Sequence, residues 1–572
     1  MEKKTLTVEH GLYALAFVLA LSLRLLLLGT PPLSEFEAGW ALDAYHVATG
    51  QAGQLAPQPG YSMLTGLLFF VLGSSDALAR LLPALVGSAL VWLPLCFRKQ
   101  LGTKAALVLA FLLAFDPGLI AVSRLAGGPM LALGFGLFAV VFGMRGKPVL
   151  TGILVGLTAL SGPGSLQAML IVGLAALLAY WLGMREIVKR TLFAPTKGYR
   201  ELYFGALFTV ILGGTLFLTA PAGLAAFGGT FTTYLRGWIE PSGVPAGRLL
   251  LALAVYQPLG LIFGLIALVR AWLDDNTTGK ILSLIFGVAL LIVLVYPARQ
   301  VYDLVWVLLP LLALAAGEIR RVLVVDPDPE MSLPTLGLGL LTFILLIFIW
   351  MDIANLLYLL PGTKEYILRL LLGGGVFLVG VLATIMIAYG WAREVGWRGL
   401  AWGVLVFLGL YLFSVGWGAA RNTERLAQEL WNPGPTTGER ALLMETLGDI
   451  SEWSSGMRNG AEVVYNFDSA ALRWTLRELP AAHYAEFASG EERPPIVITG
   501  ADAEYALPDS AYRGQSFAWL VYPVRQGMPA QDWLRWFFFR EAPTVSDQVI
   551  LWGRNDIFPE GVDSTSFSQV SE

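Results

Sequence analysis

LGTPPLSEFEAGWALDAY, residues 28–45, sets two carboxylates, Glu35 and Glu37, just past a Pro31-Pro32 break. The run before it, Leu12 to Gly29, is apolar apart from Ser22 and Arg24, long enough to cross a hydrocarbon core of ~30 Å. It lacks a small-residue cleavage pattern, so it reads as a retained first helix. Glu35 and Glu37 then stand at the water–lipid boundary, the depth at which a lipid-borne substrate presents its polar head. A solvated acidic turn uses the same residue types, so the rest of the chain has to decide between the two.

Composition fixes the class. With 56% hydrophobic and 14% charged residues over 572 positions and a mean hydropathy of +0.66, the chain is a polytopic α-helical membrane protein. A single cysteine, Cys96, excludes an internal disulfide framework, and the three histidines, His10, His46 and His483, are too scattered for a histidine-rich metal centre. The net charge of −4 is unevenly spread: residues 421–572 carry 12 basic and 22 acidic residues and no lysine, whereas the first 420 have a net charge of +6. We therefore expect two parts, a basic transmembrane domain (1–420) with a long first outer loop (30–76), and an acidic water-soluble domain (421–572).

Apolar runs predict about 13 spans, near 12–29, 77–97, 105–123, 128–143, 148–161, 164–182, 203–222, 248–271, 281–296, 302–317, 335–355, 366–390 and 398–418. With the N-terminus cytoplasmic, the inner connections collect Lys3 and Lys4, Arg98 to Lys104, Arg145 and Lys147, the basic loop 184–201, Arg270 and Lys280, Arg320 and Arg321, and Arg393 and Arg398. The outer side receives few, among them Arg236, Arg248, Arg299 and Lys364 near the ends of spans. That asymmetry satisfies the positive-inside rule, and an odd number of spans places the C-terminal domain extracytoplasmic, beside Glu35 and Glu37. A multi-pass protein of the plasma membrane is the expected setting, with membrane lipids as partners and no nucleic acid.

Within the outer loop, Phe36 to Ala48 has helical spacing, with Glu37, Ala41, Ala44 and Ala48 on one narrow face suited to close packing. Gly50 to Gly60 reads as loop, and Tyr61 to Gly73 as a short apolar helix lying in the interface. The tail alternates helices at 437–453, 469–477 and 531–540 with strands at 463–465, 496–498, 517–522 and 549–552, the pattern of a small α/β domain.

The stretch from Leu28 to Tyr45 resembles the first outer loop of GT-C glycosyltransferases, the superfamily of the protein O-mannosyltransferases and the lipid A aminoarabinose transferases. Further landmarks follow in order: Gly73-Ser74-Ser75-Asp76 through Arg80, Asp116-Pro117, Ser123-Arg124-Leu125-Ala126, Tyr296-Pro297-Ala298-Arg299, and the tail phrases from Ala471 to Arg477 and from Trp536 to Glu541. The tail phrases resemble most the archaeal and bacterial flippase-activity-associated branch.

The resemblance implies a GT-C-like fold and transfer of a sugar from a polyprenyl-phosphate donor to an envelope lipid, glycan or protein acceptor. Such a reaction needs a carboxylate base for the acceptor hydroxyl and cations for the departing lipid phosphate. Carried across, Glu37, helped or replaced by Glu35, is the catalytic acid. Arg124 and Arg299 meet the phosphate, for which the planar arginine fork is suited. Arg80, Arg236, Asp43 and His46 are further candidates for substrate or headgroup contact. Plainer roles exist: Glu35 as a helix cap, Asp43 and His46 as a solvated face, Arg236 as an interfacial anchor. Two positions depart from the family pattern, Phe36 where an aspartate is expected and Pro129 where an acid follows the second-loop arginine. Those departures motivate the alternative of a catalytically silent GT-C-like subunit that binds a lipid carrier or meets a membrane-complex partner through its acidic tail. The sequence points to no particular cofactor. No ligand spacing compels a metal, although two carboxylates beside a phosphate leave a divalent ion open.

Overall fold

A computed structural model describes residues 8–186, 198–323, 329–390, 392–421, 426–485, 493–502 and 511–558. Lys3 and Lys4, and most of the basic loop 184–201, lie outside the described residues.

The chain is mostly helical. After α1 (Val8–Leu25) come three helices of 14 residues, α2 (Glu35–Ala48), α3 (Pro59–Leu72) and α4 (Asp76–Ala89). Among the described residues, eight helices are long and apolar enough to cross a membrane, and two bent pairs, Thr103–Phe115 with Pro117–Ser123 and Ala246–Tyr256 with Pro258–Leu273, bring the number to ten if each is one span. The three remaining predicted runs correspond to the shorter helices Met130–Met144 and Pro148–Leu160, and to Tyr199–Phe208 with the π turn Thr209–Gly213. Length and composition alone thus support eight to ten crossings where hydropathy predicts about 13.

Val305–Leu323 is the hub, the most deeply buried of the long helices. Pro258–Leu273 lies close against it: a Cβ on Gly264 would stand 2.6 Å from Leu311. A small residue at a helix contact in the membrane permits such approach. At the periphery, Lys364–Gly390 buries little against the rest of the chain and exposes Leu371, Phe377 and Met386, as a lipid-facing helix would.

The tail forms a six-stranded sheet in the order β1-β5-β6-β4-β2-β3, built from β1 (Thr436–Thr437), β2 (Val463–Tyr465), β3 (Ala482–Tyr484), β4 (Ile496–Gly500), β5 (Tyr512–Pro523) and β6 (Thr544–Arg554). β2 runs parallel to β3 and β4, and the other pairings are antiparallel. The predicted helices appear as Arg440–Ser455, Ala470–Leu476 and Ala530–Phe539. Trp474 and Trp536 are core residues, each 1% exposed.

The sheet region is seated on the outer loop. Ala38, Ala41 and Ala44 of α2 are fully buried, in one apolar cluster with Leu472, Trp474 and Trp519 of the tail. Asp76 at the start of α4 accepts from Trp474 Nε1 at 2.7 Å and pairs with Arg440 at 2.5 Å, while Arg477 reaches Ser74 at 3.0 Å. On the far side, the aromatic helix Ala530–Phe539 packs Phe537 and Phe538 against Trp350.

Candidate functional site

The site grows from the cap of α2. Ser34 is its N-cap: the hydroxyl accepts from the Glu37 N–H, and the Glu37 carboxylate accepts from the Ser34 N–H at 3.1 Å, a complete capping box. This turns Glu37 inward, where it is fully buried. Arg80 of α4 meets it with both edges of its fork, Nε to Oε1 at 2.6 Å and Nη2 to Oε2 at 2.7 Å. The Ala126 N–H and the Ser34 hydroxyl complete the set at 3.1 and 3.0 Å. Burial alone would raise the Glu37 carboxyl, but the Arg80 charge and these hydrogen bonds outweigh it and hold it below the usual carboxylate range.

Five donors converge on the Glu37 carboxylate, which is thereby fully occupied in this structure. Arg80 is equally occupied. Its remaining N–H groups go to the Leu28, Pro31 and Pro32 carbonyls. Glu35 is also redirected. Its oxygens accept from the Ser469 hydroxyl at 2.6 Å and from the Ala470 and Ala471 N–H groups, so it caps the tail helix Ala470–Leu476 rather than its own. Phe36 contacts the rings of Trp40 and Tyr302.

The second outer turn is shaped by Gly127 and Gly128, both at positive φ (82° and 78°). A Cβ on Gly127 would fall 2.6 Å from the Trp40 indole, so this approach requires glycine. Pro129 is the N-cap of Met130–Met144. Just before the turn, Arg124 sends Nη1 and Nη2 to the Leu23, Arg24, Leu26 and Leu27 carbonyls at the end of α1. It pairs with no carboxylate among the described residues, and its Nε–H is unclaimed there. Burial and the nearby Arg80 charge lower its pKa to about 10, so it remains a cation at neutral pH.

Glu37, Arg80 and Arg124 line one cleft with Tyr256, Glu429, Trp431 and Asn432, with a free volume of about 50 Å³. The indole N–H of Trp431 and both amide atoms of Asn432 are buried without a hydrogen-bond partner among the described residues. Glu429 accepts from the Tyr256 hydroxyl, and its other oxygen lies 3.6 Å from Arg540 Nε. The Arg540 guanidinium lies over the Tyr256 and Trp536 rings.

The other predicted residues do not line this cleft. Asp43, further along α2, accepts from the Ala56 N–H at 2.8 Å and fixes the 50–60 loop; burial outweighs that bond and pushes its carboxyl up. His46 lies one turn beyond, half-buried beside Tyr45. Arg299 ties Nε to the Tyr296 carbonyl and Nη1 to the Val244 carbonyl. Arg236 is exposed, 3.7 Å from Glu240. Among the described residues no group of three or more His, Cys, Asp or Glu is arranged to hold a metal. Four residues of the cleft, Tyr256, Glu429, Trp431 and Asn432, escape the sequence reading. A usable signal was there: an acid, a tryptophan and an asparagine directly after the last span, as at Glu35.

No protein-family model matches the chain, and no curated protein does. Among solved structures, ArnT from Cupriavidus metallidurans bound to undecaprenyl phosphate superposes with a TM-score of 0.53 at 13% identity, over 94% of this chain and 97% of that one. Its apo structure superposes with a TM-score of 0.52 at 12% identity, over 95% and 98%. The likeness covers the helical body and the C-terminal sheet together: this chain has the ArnT-like GT-C fold.

Proposed function

We propose that this protein is a GT-C-type glycosyltransferase of the plasma membrane. It takes a sugar from a polyprenyl phosphate and passes it, on the outer face, to an envelope lipid, glycan or protein. The observation that carries the reading is Arg124, a cation without a carboxylate partner at a cleft whose Trp431 and Asn432 donors are also unsatisfied. A half-buried cation whose charge meets only carbonyls, beside buried donors left open, is costly unless a ligand completes the set. An anionic phosphate does so, and the neighbouring ArnT structure holds a polyprenyl phosphate.

In the reaction the acceptor oxygen attacks the anomeric carbon as the bond to the lipid phosphate breaks. Arg124, with Trp431 Nε1–H and the Asn432 amide, takes up the charge that develops on the phosphate. Glu429, the cleft acid with the fewest partners, receives the acceptor proton, with the Tyr256 hydroxyl fixing its orientation. Glu37 acts through Arg80 and Ala126 as a positioning residue. The cleft is small for a sugar, so the tail segment 426–432 has to move outward when donor binds. Residues 1–420 form the membrane body and 421–572 the extracytoplasmic domain that closes over it.

The test is transfer from a purified polyprenyl-phosphate sugar. Arg124→Gln should weaken donor binding about tenfold or more, since a charge-assisted hydrogen bond is being removed. Glu429→Gln should bind donor normally and lose turnover by about 10²-fold or more. Full activity in both variants would remove the cleft from consideration. The saturation of Glu37 and Glu35 favours a second reading, a lipid-carrier-binding subunit without turnover. Donor binding that depends on Arg124 while wild-type protein releases no polyprenyl phosphate would establish it.

A further inference from the structure

A second cavity, unrelated to the Arg124 cleft, lies where Pro258–Leu273, Thr277–Val295 and Val305–Leu323 meet the turn around Gln100. Its free volume is about 110 Å³, and Arg270, Arg320 and Arg321 line it with a single acid, Glu318. The charges are only partly matched. Glu318 pairs with Arg270 at 2.9 Å, and Arg321 lies 3.5 Å from Asp274, which stands outside the lining together with the Lys280–Asp275 pair. Arg320 has no hydrogen bond or ion pair among the described residues and sits half-buried, its guanidinium beside the Gly102 turn.

The wall opposite is also electropositive. Thr278 and Gly279 belong to the first turn of the 19-residue helix Thr277–Val295, and its N-cap Asn276 makes no side-chain cap bond. The early N–H groups of that helix therefore present their partial positive charge uncapped. An unpaired arginine facing an uncapped helix start, in a polar cavity, is a receptor for an anion.

The surroundings say in what form the anion arrives. Val269 and Leu273 on one flank are 56% and 79% exposed, and Leu323 on the other is 40% exposed. Trp272 is held between Lys280 and Ser283 at the same level. Basic cavities between helix ends, flanked by exposed apolar side chains and an interfacial tryptophan, fit a lipid that keeps its chains in the bilayer. We propose that this cavity binds the phosphate headgroup of an anionic phospholipid drawn from the surrounding leaflet. Arg320 is the principal contact and the Thr277–Val295 helix start the second.

Arg320 makes the test clean, because replacing it orphans no acid. Purified full-length protein would be stripped of lipid and titrated with phosphatidylglycerol or phosphatidylcholine, with bound lipid counted by native mass spectrometry. Wild type should retain one phosphatidylglycerol and no comparable phosphatidylcholine. Arg320→Gln should weaken the anionic lipid about fivefold, the worth of one arginine at a membrane surface, and Arg320→Lys should largely restore it. Lys104→Gln removes a charge from an exposed neighbouring position and should leave binding unchanged. Equal weakening by Lys104→Gln, wild-type affinity in Arg320→Gln, or equal retention of phosphatidylcholine would each overturn the proposal. So would displacement of the lipid by millimolar inorganic phosphate, which would assign the cavity to a soluble anion. Thermal unfolding without added lipid, unchanged in Arg320→Gln, shows that the variant is folded.

Discussion

At the scale of single residues, the Glu37–Arg80 pair bears most of the weight. Both side chains are almost entirely removed from solvent, at 1% and 3% exposure. Removing one partner strands a buried charge, a loss of about 3–5 kcal/mol in comparable pairs. Glu37→Gln keeps the shape and removes the charge, so thermal unfolding should occur at markedly lower temperature than in wild type. Acid should do the same to the native protein. Because the folded Glu37 carboxyl lies below its unfolded value, its stabilisation is fully present above the ordinary carboxylate range and is lost as pH falls through the folded value. Glu37→Gln should show a flatter stability profile over that acid window; an identical slope in both proteins would mean that other carboxylates govern acid unfolding. The sequence made Glu37 conspicuous but did not show its partners. An acid at the membrane edge suggests a reacting group, and nothing local reveals that an arginine 43 positions away consumes both of its oxygens. Arg124 entered the sequence reading only through the family resemblance, and nothing local shows that carbonyls about a hundred positions earlier, at Leu23 to Leu27, hold its guanidinium.

At the scale of elements, the tail meets the outer loop through the start of one short helix, Ala470–Leu476, which uses Glu35 as a cap from another part of the chain. Loss of a capping carboxylate costs about 1–2 kcal/mol, and here it also loosens a contact between two regions. Glu35→Ala should therefore speed hydrogen exchange of the Ala470–Leu476 amides while α2, capped by its own Ser34, keeps its protection. Unchanged exchange in the tail helix would show that the apolar contacts around Trp474 suffice. Hydropathy located the long apolar helices of the body because apolar length is a local property, but it gave no sign of Ala222–Arg236, a helix in a predicted outer loop. It failed on 203–222, where Leu216, Phe217 and Leu218 all have positive φ and turn an apolar run away from a helical path. It also passed over β1 and β3, edge strands of two and three residues, too short for a period-2 pattern to register.

At the scale of the whole molecule, the sidedness of the protein rests on two independent arguments. The first is contact: Asp76 pairs with Arg440 and Glu35 caps the 470–476 helix, so the first loop and the C-terminal sheet lie on the same side however many times the chain crosses. The second is charge. The connections holding Arg98, Lys104, Arg270, Arg320 and Arg321 are basic, whereas residues 421–572 carry a net charge of −10. We propose on this basis that the Arg124 cleft lies outside and the Arg320 cavity inside, a division that would let a lipid-linked donor be used on one face while a leaflet lipid is held on the other. With Cys96 replaced by serine, single cysteines can read this directly. In intact cells a membrane-impermeant maleimide should label Gln526→Cys, an exposed tail position, and should reach Lys104→Cys only after permeabilisation. The reverse pattern would put the Arg124 cleft on the cytoplasmic face, and with it the donor chemistry proposed for it.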